Sequence, residues 1–306
     1  MSNFNVSILG CGSASPTLRH FPSCQAITYG PRVMLMDCGE GAQLQMRRYG
    51  ISFARVRDIF ISHLHGDHFL GLPGLLSTMA LHEVEGTVTV HVFEQGAEAL
   101  SELMRVFCPE TSFNLEYDIL DPGRPGLVMD EKMFTVSTVA LSHRVPCFGF
   151  VFREKPKLRH IDGDAARYHG VPHYAMQSLR QGADFVKADG TVVPNARLTR
   201  EPSPARSYAY CSDTAYEPSL AERLRGIDVL YHEATYGDAD TAKAATRGHS
   251  TAREAAMIAR TAGARQLVIG HYSQAIQDPD LLVAEAREVF PGTIAATEGL
   301  KIDLDR

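Results

Sequence analysis

The residues best suited to chemistry lie in one short run, Ile59-Phe60-Ile61-Ser62-His63-Leu64-His65-Gly66-Asp67-His68. The run begins as an apolar strand and ends in a polar turn that holds three imidazoles and one carboxylate. Such nitrogen and oxygen donors are the ligands that Zn²⁺ and similar divalent metals prefer. After a strand, this spacing cannot bring all four side chains to one metal without strain. Paired as His63 with His65 and Asp67 with His68, they can serve two metals. The alternative is that these are histidines of an exposed loop. Packing gives no reason for such a loop to group three histidines with an acid.

Three other predicted strands end at a single polar residue. Asp37 follows the strand at 32–36, His143 follows the one at 134–141, and Asp213 follows the one at 207–211. Each has an ordinary interpretation. Asp37 can be a metal ligand, a residue that orients ligands, or a solvated turn acid. A lone histidine at a strand end is usually structural, and Ser-Asp-Thr around Asp213 is typical of a helix N-cap. His82 and His91 are interpreted as surface or interface histidines.

Bulk composition limits the class of protein. The chain has 306 residues, of which 44% are hydrophobic, which is ample for a sizeable core. The first residues lack a basic segment and a long apolar segment, and no apolar run is long enough to span a membrane, so we expect a cytoplasmic protein. The six cysteines form no CxxC pair and are expected to be reduced thiols. The net charge of −6 means that any nucleic-acid contact needs a local basic patch.

Residues 153–200 supply such a patch. They contain nine Lys and Arg against five Asp and Glu, a local charge of +4. Histidines and tyrosines lie among the basic residues. The segment is either a solvated excursion between strands or an arm that grips RNA phosphates. We find no repeat or linker, so we predict one domain over residues 1–306 with an inserted basic arm at 153–200.

Several motifs together resemble ribonuclease Z, a branch of the metallo-β-lactamase fold. They are Ser62 to His68, Asp37-Cys38-Gly39-Glu40-Gly41, His143-Arg144-Val145-Pro146, His232-Glu233-Ala234-Thr235 and Gly248-His249-Ser250-Thr251. The resemblance covers nearly the whole chain, in order. It implies an α/β protein, an αβ/βα sandwich of two mixed β-sheets flanked by helices, with a substrate-binding arm. One departure concerns the arm, because Gly170-Val171-Pro172 stands where bacterial relatives often have an adjacent Gly-Pro.

The resemblance also implies a role for each candidate residue. Its metal ligands would be His63, His65, Asp67, His68, His143, Asp213 and His271. Asp213 would bridge two Zn²⁺ ions, and Asp37 would accept a hydrogen bond that orients the ligands. Asp67 would also accept the proton of the nucleophile. Glu233 would hold His249 as a protonated general acid.

The function implied is a zinc-dependent endoribonuclease that removes the 3′ trailer of precursor tRNA. It would leave a 3′-hydroxyl on the tRNA and a 5′-phosphate on the trailer. Two Zn²⁺ per subunit are expected, with Mn²⁺ as the alternative metal, and the family suggests a homodimer. The metal motifs alone do not select RNA. A small-molecule or cyclic-nucleotide phosphodiesterase is therefore the second hypothesis, and a non-catalytic RNA-binding relative, which would lack ligands, is the third.

Overall fold

A computed structural model describes residues 3–304 of the chain. Contacts between backbones divide these residues into two compact units. The first unit comprises residues 3–131, 135–152 and 206–304 and contains most of two β-sheets. The second comprises residues 132–134 and 153–205. Among the described residues, no helix is both long enough and apolar enough to cross a membrane.

Each of the two large sheets has seven strands. The first contains β1 (Phe4–Gly10), β2 (Cys24–Tyr29), β3 (Arg32–Met36), β4 (Val56–Phe60), β5 (Thr87–Val92), β6 (Asn114–Ile119) and β18 (Lys301–Asp303), in the order β18-β1-β2-β3-β4-β5-β6. The second contains β7 (Leu127–Asp130), β8 (Phe134–Ala140), β9 (Phe148–Glu154), β14 (Ser207–Cys211), β15 (Val229–Glu233), β16 (Gln266–Gly270) and β17 (Thr293–Ala295), in the order β17-β16-β15-β14-β9-β8-β7. Both sheets mix parallel and antiparallel pairs, as the family resemblance implied.

The central strands of the sheets are buried on both faces, which explains their nearly continuous apolar sequences. Aromatic rings fill the space between the sheets, as in the contacts of Phe4 with Phe152 and of Phe60 with Phe150. Helices cover the outer faces. They are α1 (Ala42–Arg48), α2 (Gly66–Phe69), α3 (Leu72–Leu81), α4 (Glu94–Phe107), α7 (Leu220–Arg223), α8 (Thr241–Arg247), α9 (Ala252–Ala262) and α10 (Pro279–Arg287). The helix α9 begins at a capping box in which Thr251 and Glu254 bond each other's backbone.

The second unit has a small core of its own. It contains β10 (His160–Ile161), α5 (Gly163–Tyr168), α6 (Met176–Arg180), β11 (Phe185–Val186), β12 (Val192–Val193) and β13 (Thr199–Arg200). Leu179, Val193 and Leu198 form a buried cluster. The buried Asn195 amide donates to the carbonyls of Leu179, at 2.8 Å, and Ala183, at 2.6 Å. The amide thus satisfies two backbone carbonyl groups inside the insertion. These contacts give the insertion a defined structure.

The strand β4 leads into the run that contains His63, His65 and His68, and it is supported by a buried histidine. The ring of His91 stacks on Phe60, with centroids 4.1 Å apart, and lies 2.8 Å from Asp118 and 3.5 Å from Asp58. Burial lowers the pKa of His91, but the hydrogen bond with Asp118 and the nearby carboxylate of Asp58 outweigh burial and raise it above 6.5. Because the side chain of His91 is buried within the chain, its interpretation as a surface or interface histidine is wrong. Its partners are carboxylates distant in sequence, which no local pattern indicates.

This raised pKa predicts a specific pH dependence of stability. A group whose folded pKa is raised stabilises the fold fully below its unfolded pKa, here near 6.5, and loses that effect as pH rises through the folded pKa. We expect the free energy of unfolding of the wild type to fall across that window relative to His91→Gln. Urea denaturation at a series of pH values measures both curves. Parallel curves for the two proteins would show that His91 is uncoupled from stability.

Candidate metal centre

Most of the predicted site residues meet at one edge of the two sheets because they follow the carboxyl ends of parallel strands. Met36 pairs with Phe60 in the first sheet, so Asp37 lies beside the run that contains the histidines. In the second sheet, His232 pairs with both Cys211 and Ile269. Asp213, Glu233 and His271 are consequently neighbours. Open sheets of parallel strands place their functional residues at this edge in general.

Four side chains form a first ligand group. The Nδ1 atom of His65 lies 3.0 Å from His63 Nε2 and 3.4 Å from His143 Nε2. The Oδ2 atom of Asp213 lies 3.6 Å from His63 Nε2 and 3.8 Å from His143 Nε2. All four donor atoms are within 4.8 Å of one another. Such a set can surround one divalent ion.

A second ligand group lies beside the first. It consists of Asp67, His68 and His271, together with the other oxygen of Asp213. Asp213 Oδ1 lies 3.1 Å from His271 Nε2 and 3.4 Å from His68 Nε2, and Asp67 Oδ2 lies 3.5 Å and 3.4 Å from the same two atoms. Asp213 thus presents one oxygen to each group. The pairs predicted from the spacing, His63 with His65 and Asp67 with His68, fall in separate groups.

The chemistry of these donors fits two divalent cations. The buried Nε2 atoms of His68 and His271 face carboxylate oxygens but have no hydrogen-bond partner within residues 3–304. The Nδ1 atom of His68 lies 2.7 Å from Asp37, so it carries the ring proton and Nε2 presents a lone pair. A lone pair that faces carboxylate oxygens is repelled unless a cation lies between them. The residues therefore fit a metal on physical grounds.

The electrostatics of the site agree with this fit. Burial raises the pKa of Asp67, but the adjacent imidazoles of His271 and His68 outweigh burial and hold the pKa far below its usual range. Burial chiefly lowers the pKa of His65 and of His143, so both imidazoles are neutral and able to bind metal. Burial also lowers the pKa of His68, but the charges of Asp213 and Asp37 outweigh burial and raise it. A proton and a cation would compete for its Nε2 atom.

Asp37 accepts four hydrogen bonds beside the second ligand group. Its Oδ2 atom accepts from His68 Nδ1, at 2.7 Å, from the hydroxyl of Tyr210, at 2.6 Å, and from that of Ser62, at 2.8 Å. Its Oδ1 atom accepts from the Ser62 backbone at 2.7 Å. These donors fix the carboxylate, which in turn fixes the ring of His68. The structure thus gives Asp37 an orienting position rather than a place among the ligand atoms.

His249 lies beside both groups and is paired with Glu233. Its Nδ1 atom is 2.8 Å from Glu233 Oε1 and 3.9 Å from Asp213 Oδ2. Burial lowers the pKa of His249, but the charge and hydrogen bond of Glu233 outweigh burial and raise it. With Nδ1 bonded to Glu233, the Nε2–H group is the proton donor available to a substrate. His232 instead bonds the Glu233 carbonyl at 2.7 Å, as expected of a structural histidine.

The structure adds residues that the sequence had not indicated. The backbone N–H of Ala14 donates to Asp67 Oδ2 at 2.7 Å, and the Gly248 carbonyl accepts from His143 Nδ1 at 2.8 Å. Ala14 and His271 both have positive φ, 61° and 62°, a strained conformation that is concentrated at functional sites. Backbone partners leave no signal in residue type.

A cavity of about 650 Å³ opens onto the metal centre. The side chains of Asp67, His249 and His271 reach it from the site. Arg144 and Arg247 line it as well and give its wall positive charge. Such a cavity suits an anionic substrate, because cationic walls raise the local concentration of anions.

Two family models match parts of the chain. The β-lactamase superfamily domain matches residues 195–272, and the family described as anti-Pycsar protein Apyc1 matches residues 4–107. The crystal structure of the metallo-β-lactamase fold protein YhfI from Bacillus subtilis has a TM-score of 0.69 at 18% identity, covering 98% of this chain and 99% of that one. Fold and site together define a protein of the metallo-β-lactamase fold.

Full-length relatives narrow the class further. Ribonuclease Z of Parabacteroides distasonis is 44% identical over 99% of this chain and 100% of its own length. Ribonuclease Z of Porphyromonas gingivalis strain W83 is 45% identical with the same coverage. The crystal structure of human tRNase Z, short form, has a TM-score of 0.71 at 25% identity and covers 99% of this chain and 100% of that one. The chain belongs to the ribonuclease Z family, which confirms the predicted fold and family.

Proposed function

We propose that this chain is a zinc-dependent endoribonuclease that removes the 3′ trailer of precursor tRNA. The products would be a tRNA with a 3′-hydroxyl and a trailer with a 5′-phosphate. The full-length likeness to proteins named ribonuclease Z supports the substrate. The observation that carries the mechanism is the 2.8 Å pair of Glu233 and His249 next to two ligand groups.

Two Zn²⁺ ions would be held by the first and second ligand groups, with Asp213 shared between them. When bound, such a pair of ions lowers the pKa of water towards about 7 and neutralises charge on phosphoryl oxygens. Imidazole and carboxylate donors suit zinc, and Mn²⁺ is the alternative.

The chain's own residues would then handle the protons. Asp67 is ionised, and its Oδ2 atom is fixed by the Ala14 N–H, so it can orient the attacking water. We also propose that it accepts the proton of that water. The raised pKa of His249 favours the protonated ring, which can donate from Nε2 to the ribose oxygen that leaves. Glu233 keeps that ring charged and in place. Arg144 and Arg247 would hold phosphates in the cavity.

The deciding experiment uses a 3′-extended precursor tRNA, with both product ends mapped. A cut just after the acceptor stem that leaves 3′-hydroxyl and 5′-phosphate ends supports the proposal. A 2′,3′-cyclic phosphate would overturn it, because that product requires attack by the ribose 2′-hydroxyl. Intact tRNA with hydrolysis of bis(p-nitrophenyl) phosphate would favour the small-molecule phosphodiesterase. A diphosphatase of the PhnP family, with a TM-score of 0.65 at 17% identity, shows that the fold is not limited to nucleases.

The arm is proposed to bind the body of the tRNA. Part of its positive charge is already used internally, since Lys157 pairs with Glu154 at 2.9 Å and Arg200 with Asp162 at 3.0 Å. Arg180 and Arg197 are exposed and belong to no ion pair among the described residues. Tyr168 is also exposed and offers a ring on which a base can stack. These features fit an RNA surface better than a solvated loop.

Reversing charge at Arg180 and Arg197 tests the arm. We expect the double Glu variant to bind precursor tRNA more weakly, with the slope of log K against log [salt] reduced by about 1 for each phosphate that the variant no longer neutralises. Hydrolysis of bis(p-nitrophenyl) phosphate should persist, because the diester needs only the metal centre. Filter binding at several salt concentrations measures the slope. Arg105→Glu, at an exposed position on α4, is the matched control. Equal slopes for all three proteins would exclude these two arginines.

We further propose a cytoplasmic homodimer in which the arm of one subunit holds tRNA for the site of the other. This arrangement would let a chain of net charge −6 bind RNA through a local patch. Sedimentation and tRNA processing on the same sample test it. A monomer that retains full processing would contradict the proposal.

A further inference from the structure

Two buried hydroxyls, those of Ser62 and Thr235, each lie between a carboxylate and a histidine of one ligand group. The Oγ atom of Ser62 lies 2.8 Å from Asp37 Oδ2 and 3.0 Å from His63 Nδ1. The Oγ1 atom of Thr235 lies 2.6 Å from Glu233 Oε2 and 2.8 Å from His271 Nδ1. Each hydroxyl therefore links a carboxylate to one histidine. His63 belongs to the first ligand group and His271 to the second.

The direction of the hydrogen bonds follows from the carboxylates. Glu233 accepts backbone N–H groups on both oxygens, from Thr214 at 2.9 Å and from Thr235 at 3.1 Å. A carboxylate with such partners acts only as an acceptor. The Thr235 hydroxyl must therefore donate to Glu233, and its oxygen is free to accept from His271. Asp37, which accepts the Ser62 backbone N–H and the Tyr210 hydroxyl, imposes the same direction on Ser62.

This direction fixes the tautomer of both histidines. If the hydroxyl oxygen accepts a hydrogen bond from Nδ1, that nitrogen carries the proton and Nε2 carries the lone pair. In both rings Nε2 is the atom that faces Asp213, at 3.6 Å for His63 and 3.1 Å for His271. The hydroxyl thus points the lone pair into the ligand group, whereas the opposite tautomer would place a proton there.

We propose that Ser62 and Thr235 are positioning residues, each of which holds one histidine in its metal-binding tautomer for one of the two metal positions. Ser62 serves the first ligand group and Thr235 the second. This inference rests on the proposed metal centre. It goes further because it assigns a separate hydroxyl to each metal position. It also links the second position to the proposed proton donor, because Glu233 bonds both Thr235 and His249.

Variants that remove each hydroxyl should weaken different metal positions. Ser62→Ala leaves the Ser62 backbone N–H on Asp37, and Thr235→Val keeps the side-chain shape. Outer hydrogen-bond partners of ligands usually contribute about 10- to 100-fold to metal affinity. We therefore expect a loss of about that size at the first ligand group in Ser62→Ala, and at the second in Thr235→Val. Thr235→Ser, which retains the hydroxyl, should restore binding.

The test is metal binding without RNA, so that it can fail independently of the nuclease proposal. Metal-free proteins are titrated with Zn²⁺ against a chromophoric chelator. Crystals of the zinc-loaded variants then give the occupancy of each position from anomalous scattering at the zinc edge. Thr293→Val, which removes a buried hydroxyl that donates to the Phe290 carbonyl at 2.6 Å, controls for general destabilisation. Wild-type affinity at both positions in both variants, or loss of the same position in both, would overturn the proposal.

A second measurement needs no variant and covers the case in which one fails to fold. Nitrogen-15 spectra of the zinc-loaded wild type report which ring nitrogen of His63 and of His271 bears hydrogen. A proton on Nδ1 of both rings is the expected result. A proton on Nε2 of either ring would overturn the assignment for that histidine.

Discussion

Replacing His249 with alanine should lower the rate of precursor-tRNA cleavage by about 10²- to 10⁴-fold, the range that a positioned proton donor contributes. The ribose oxygen that leaves is a strong base and needs a proton. His249 holds that proton because its Nδ1 atom bonds Glu233 at 2.8 Å and leaves Nε2–H facing the cavity. Single-turnover cleavage of a 3′-extended tRNA measures the chemical step directly.

The leaving group of the substrate provides the control for this prediction. Nitrophenolate is a much weaker base than a ribose alkoxide and leaves without protonation. The same His249→Ala protein should therefore hydrolyse bis(p-nitrophenyl) phosphate at close to the wild-type rate, and its zinc content should be unchanged. Equal losses on both substrates would contradict the general-acid role. They would indicate instead that His249 supports the metal centre, which it approaches through the 3.9 Å contact with Asp213.

The sequence predicted the main parts of this molecule because they follow from local patterns. Apolar runs marked the strands, and the polar residues that end them marked the site edge. The motif resemblance then supplied the residues that spacing could not group, such as His143 with His65, which are 78 positions apart yet 3.4 Å from each other. That grouping requires the two sheets to face each other, which no local pattern encodes.

Other features could not be predicted from the sequence, for physical reasons. Whether His63 binds through Nε2 and His65 through Nδ1 depends on hydrogen bonds that only the folded site reveals. The Ala14 N–H and the Gly248 carbonyl are backbone groups that nearly every residue carries. The contact surface of the arm is likewise a property of its folded core. Charge alone did not separate Arg200, which is paired with Asp162, from the exposed Arg197.

Replacing Asp213 should lower the rate of cleavage more than replacing any other residue of the site. Its two oxygens face different ligand groups, so Asp213→Asn removes negative charge from both metal positions at once. Each ion supplies several kcal/mol of charge stabilisation in such sites, and each 1.36 kcal/mol is a factor of ten in rate. We therefore expect cleavage of tRNA and of bis(p-nitrophenyl) phosphate to fall together by more than about 10⁴-fold. This joint loss distinguishes a metal ligand from the proton donor His249.

Zinc content separates this effect from a loss of folding. Metal analysis of Asp213→Asn after dialysis should give less zinc than the wild type, with both positions depleted. Asp58→Asn is the matched control, because Asp58 is equally buried but pairs with Arg32, at 3.0 Å, and with His91. The control should lose stability while keeping its metal. If Asp213→Asn retained a full complement of zinc at both positions, Asp213 would be a neighbour of the two ions rather than their bridge.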